Sequence, residues 1–80
     1  MRNLGEIPNA HAKISLFAWN GKFLVKFEQG LCEQTYKFED LELERGESEV
    51  RTRLNENFID KVLGQFQKMH ELRQSFLDEA

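Results

Sequence analysis

Eighty residues, 40% hydrophobic and 31% charged with a formal net charge of −3, suffice for one small domain that buries about 60% of its unfolded surface. The acidic balance argues against nucleic acid as the main partner, because phosphate binding draws on clustered Lys and Arg. The single cysteine, Cys32, excludes an internal disulfide and, with no secretory h-region near the N-terminus, suggests a reducing, cytoplasmic setting; no apolar run approaches the roughly twenty residues of a membrane span.

Residues 1–11 contain Gly5 and the only proline, Pro8, and keep no sustained period. They read as an irregular lead-in, with Leu4 and Ile7 tucked against an edge of the core and His11 on the surface. Residues 12–44 read as a β-meander. Asn20-Gly21 stands between Lys13–Trp19 and Lys22–Glu28, two runs rich in apolar and aromatic residues, and Asn-Gly in that context is the strongest short-range hairpin signal. A two-residue loop sets the register: Trp19 opposite Lys22, Phe17 opposite Leu24, Lys13 opposite Glu28. Ile14, Leu16, Ala18, Phe23, Val25 and Phe27 then share one wholly apolar face. The other face carries Lys13, Glu28, Ser15 and Lys26, followed by Phe17, Leu24, Trp19 and Lys22.

A second turn at Gln29-Gly30 sets Lys26 opposite Glu33 and Leu24 opposite Thr35. Moving it to Gly30-Leu31 brings Glu28 opposite Glu33, an unfavourable pair. In either register Cys32, Gln34, Tyr36 and Phe38 lie on the core face. The phase slips after Phe38, since Leu41 and Leu43 are odd, and a β-bulge near Glu39-Asp40 is the preferred explanation. The alternative ends the strand at Phe38 and lets Leu41 and Leu43 cover the sheet edge from a loop. Six acids and one base lie between Glu39 and Glu49, which reads as a solvated acidic loop.

Residues 47–79 read as a helix from about Ser48 as N-cap to Asp78. Its apolar positions, from Val50 through Val62, Phe66 and Met69 to Phe76 and Leu77, span about half the circumference. Asn55 and Asn57 leave open a restart that would make two helices, and Gly64 falls on the polar side. The expected fold is therefore α+β: a three-stranded antiparallel meander packed on one face by a long C-terminal helix, in two layers within a single domain. Three antiparallel strands followed by a C-terminal helix resemble, in order alone, the later part of a double-stranded RNA-binding domain. The first helix of that family has no counterpart here, and Ser48-Glu49-Val50 stands where it has a basic phosphate clamp.

His11, Cys32 and His70 are the only soft or imidazole ligands, and their spacing matches no metal motif. The acids of Glu39 to Glu49 lack calcium-loop spacing. No glycine-rich phosphate loop and no polar triad occurs, so no catalytic residue, metal, cofactor or small-molecule ligand is expected. What the pattern leaves over is apolar surface. Phe17, Trp19, Lys22 and Leu24 on the outer face of the hairpin, and Leu72, Phe76 and Leu77 at the helix end, are the candidate interface. They point to protein association, most economically a homodimer, with Arg73 at its rim. The alternative is a single-stranded nucleic-acid platform in which bases stack on Phe17 and Trp19 between Lys22 and Lys26.

Overall fold

The computed structural model describes residues 1–79. It is α+β, with a long C-terminal helix on one face of an open antiparallel sheet, as the pattern predicts, but the sheet has four strands. They are β1 (Arg2–Ile7), β2 (Lys13–Trp19), β3 (Lys22–Gln29) and β4 (Cys32–Glu39), side by side in chain order. Two helices follow, α1 (Glu47–Arg53) and α2 (Glu56–Asp78).

The β2–β3 hairpin has the expected register, from Lys13 opposite Glu28 to Trp19 opposite Lys22. Asn20 (φ 51°) and Gly21 (φ 73°) both take positive φ, as a type I′ turn demands. Ile14, Leu16, Val25 and Phe27 form the floor of the core, Phe23 lies at its margin, and Val62 and Phe66 of α2 close it from above. Val50 of α1 and Leu43 complete it.

The lead-in is not irregular. Residues 2–7 pair with β2, and the register slips between Asn3 and Gly5, so that Asn3 faces Phe17 and Gly5 faces Leu16. The extra residue, Leu4, is a bulge. It puts Leu4 and Ile7, three positions apart, on the same packed side, and that spacing hides the alternation by which a strand is read. Gly5 takes φ 107° at the bulge, where its N–H donates to Asn3 Oδ1 at 2.8 Å. The turn into β2 is tied by Asn9, whose Oδ1 accepts from the backbone N–H groups of His11 (2.8 Å) and Ala12 (3.2 Å).

The second hairpin turns at Gly30-Leu31, not Gln29-Gly30, with Gln29 opposite Cys32 and Glu28 opposite Glu33. Gly30 takes φ 58° at the first turn position, where a type II′ turn places glycine. The like-charged pair is tolerated because Lys26 Nζ lies 3.9 Å from Glu28 and 3.5 Å from Glu33. Gln29, now within the strand, donates through Nε2 to the His11 carbonyl at 2.9 Å, and its Oε1 lies 2.8 Å from His70 Nε2.

Strand β4 does not bulge and continue. It ends at Glu39 in a 3-10 turn over Asp40–Glu42, held by the Asp40 N–H to Gly21 O bond of 2.9 Å. Leu43 returns to the core, while Leu41 points fully into solvent. The 3-10 turn changes the phase, and no residue is inserted into the ladder.

The C-terminal segment is two helices, and Gly46 (φ 56°), rather than Ser48, caps the first. Ser48 Oγ instead donates to the Arg45 carbonyl at 3.1 Å. Buried Glu49 accepts from the Arg45 N–H at 3.3 Å and meets Arg53 Nη2 at 2.8 Å, closing the loop onto α1. Arg51 bonds Glu47 at 3.0 Å and donates to the carbonyl of Leu4 at 2.7 Å, which fastens α1 to the bulge of β1. Asn55 starts α2 as its N-cap, with Oδ1 accepting from the Phe58 N–H at 2.9 Å. Gln34 joins α2 to the sheet: its Nε2 donates to the Val62 carbonyl at 3.0 Å, and its Oε1 accepts from the Tyr36 hydroxyl. Phe27, Tyr36 and Phe58 surround that contact with ring centroids 6.0 to 6.4 Å apart.

Candidate interaction surfaces

The strand registers determine the outer face of the sheet row by row. Lys13, Glu28 and Glu33 form one row; Glu6, Ser15, Lys26 and Thr35 the next; then Asn3, Phe17, Leu24 and Lys37; and finally Trp19, Lys22 and Glu39. Four lysines therefore alternate with four glutamates, and the face has no net charge. Its ion pairs, Lys13 to Glu6 at 3.7 Å and Lys26 to Glu28 and Glu33, are solvent-exposed, where each is worth under about 1 kcal/mol.

The four sheet residues of the candidate interface differ in availability. Leu24 is only 7% exposed, on an inner strand with Phe17 and Lys37 on either side of it. Ser15 is buried on the same face, between Glu6 and Lys26. Phe17 and Lys22 are half-buried, and Trp19, beside the Asn20-Gly21 turn, keeps half its surface.

The helix residues are different. His70 is the last α2 side chain tied to the sheet, through Gln29, and its ring stacks on Phe66 at 6.1 Å. Every residue from Glu71 to Glu79 is exposed. At about 1.5 Å per residue, those after His70 carry the helix roughly 12 Å beyond the sheet. Leu72 and Phe76 are 73% and 77% exposed, and Leu77 more than half. The apolar stripe that covers the sheet thus runs on past its end with nothing beneath it. The Trp19 cluster lies by the Asn20-Gly21 turn and the helix tip beyond the Gly30 turn, so the two halves of the candidate interface sit at opposite ends of the molecule.

A third surface lies outside the candidate interface. Where α1 gives way to α2, Phe38, Leu43, Leu54 and Phe58 line a groove of about 450 Å³, together with the charged Glu42, Arg53 and Lys61. The break at Asn55 opens it, since a single continuous helix would leave no such cleft. Asn55, read as a possible restart, was the available signal. Among the described residues no three His, Cys, Asp or Glu side chains gather as a metal site, and no helix is long and apolar enough to cross a membrane.

These surfaces belong to a two-layer α+β domain of meander topology. The chain matches no protein-family model, no curated protein and no solved structure.

Proposed function

We propose that the protein is a small interaction module that works by self-association, as a symmetric dimer, in a reducing compartment where Cys32 stays a thiol. The observation that carries this reading is the α2 tip, where Leu72, Phe76 and Leu77 stand in water beyond the sheet. Leu72 and Phe76, one turn apart on the same flank, with Leu77 beside them, place large apolar side chains in solvent, the type of surface that marks an interaction site when it is contiguous. The balanced charge of the outer sheet face supports a protein partner over a polyanion, because its four glutamates offset its four lysines and binding to phosphate draws on clustered positive charge.

Sedimentation equilibrium from micromolar to near-millimolar protein tests the reading. A concentration-dependent dimer, weakened by Phe76→Ser, is expected, and a monomer throughout that range removes it. The second reading rests on Trp19, the half-exposed aromatic beside Lys22. Titration with mixed single-stranded oligonucleotides at two salt concentrations, followed by Trp19 fluorescence, is expected to show no saturable change. Salt-sensitive quenching that is lost in Lys22→Glu would put nucleic acid in place of the protein partner.

A further inference from the structure

Resting on self-association, we propose that each protomer lays its α2 tip into the groove of a second copy, with the two α2 helices antiparallel about a two-fold axis. The groove at the α1–α2 junction and the tip are then the two halves of a single reciprocal contact.

The helix itself supplies the symmetry. Positions 58, 61, 65, 68, 72 and 76 follow one another by three or four residues, so they share a flank of α2. Phe58 and Lys61 of the groove lie at one end of that flank, and Leu72 and Phe76 at the other. A socket and a plug at opposite ends of one flank are what an isologous two-fold contact requires. The tip cannot fill its own groove, because eighteen residues of continuous helix hold Phe76 about 27 Å from Phe58. The occupant must come from another molecule.

Size and charge select a second copy. The groove floor of Phe38, Leu43, Leu54 and Phe58 is apolar, and about 450 Å³ is room for large side chains such as Phe76 and Leu72. Helix α2 ends at Asp78 with Glu79 as its C-cap, and the charged residues lining the groove are Glu42, Arg53 and Lys61, of which Arg53 is already held by Glu49 at 2.8 Å. Lys61 makes no ion pair among the described residues, so it is available to an incoming carboxylate. Two such contacts bury on the order of 1,000 Å² in total, the low end of specific interfaces, which implies a reversible dimer.

The test is sedimentation equilibrium on wild type, Phe76→Ser, Lys61→Glu and the pair Lys61→Glu with Glu79→Lys. All three positions are exposed, and far-UV circular dichroism checks that each variant is folded. Phe76→Ser and Lys61→Glu are each expected to raise the dimer dissociation constant tenfold or more, and the charge-swapped pair to return it to within about threefold of wild type. In a dimer of mixed isotope labelling, the Phe76 ring should give intermolecular contacts to Leu54 and Phe58. A wild-type dimer unaffected by Phe76→Ser or Lys61→Glu overturns this docking but leaves self-association standing. A wild-type monomer removes both, and leaves the groove to a small apolar ligand or a foreign helix.

Discussion

Gln34 is a buried polar residue on an otherwise apolar face, and its amide is used at both ends. It donates to a helix carbonyl and accepts from the Tyr36 hydroxyl, so a side chain that costs free energy when unpaired instead sets how α2 lies on β4. Truncation by Gln34→Ala removes both bonds and opens a small cavity, and is expected to cost about 2 kcal/mol. Tyr36→Phe removes one bond at a partly exposed site and should cost about 1 kcal/mol or less. Both changes delete the same contact, so the double variant should lose less than the two single losses combined. Urea denaturation of the four proteins measures this, and strict additivity would separate Tyr36 from the Gln34 contact. Gly5 is constrained differently. Its φ of 107° at the bulge is open to glycine but costly for any other residue. Although no atom lies within 4 Å of the place a Cβ would take, Gly5→Val is therefore expected to destabilise by about 1 to 3 kcal/mol through the backbone alone.

At the scale of elements, what the sequence discloses depends on whether a periodic pattern survives. The β2–β3 hairpin is legible residue for residue because a type I′ Asn-Gly turn and strict alternation agree. Strand β1 is not, because its bulge puts Leu4 and Ile7 on one side at a spacing of three, and its hydrogen bonds to β2 carry no sequence signature. The Gly30-Leu31 turn is misread from the Glu28–Glu33 repulsion alone, since Lys26 offsets it from the adjacent row. The helix tip was legible as surplus apolar arc. The groove was not, because it exists only where the chain breaks at Leu54-Asn55. That break rests on the Asn55 cap, and Asn55→Ala should cost about 1 kcal/mol. Gly64 gives the opposite sign. It lies in the exposed interior of α2 with nothing within 4 Å of its would-be Cβ, so Gly64→Ala should stabilise by about 0.5 to 1 kcal/mol. For a domain of this size, 1 kcal/mol is about 4 to 8 °C in Tm, which thermal unfolding resolves.

For the whole molecule, the dimensions separate what folds the chain from what it presents. The Cα radius of gyration is 14.3 Å and the longest extent 48 Å, whereas a compact chain of this length has a radius near 12 Å. The excess comes from α2, whose last turns pass the sheet without adding to the core. Among the described residues, all the buried apolar side chains lie at or before Phe66, and the last cross-layer hydrogen bond is that of His70. Ending the chain at Glu71 should therefore leave the domain folded, with dilute-solution stability within about 1 kcal/mol of the full chain. It should also abolish the dimer, since Leu72 and Phe76 are gone while the groove is intact. The truncated and full chains can be compared by urea denaturation at micromolar concentration and by small-angle scattering near millimolar concentration. A truncated chain that loses several kcal/mol would make the tip part of the fold rather than of an interface. One that keeps its stability and scatters as a monomer would place the association in those last residues. On the proposed reading, the exposed Leu72 and Phe76 would recover their hydration cost in the dimer, so the second outcome is the one that self-association requires.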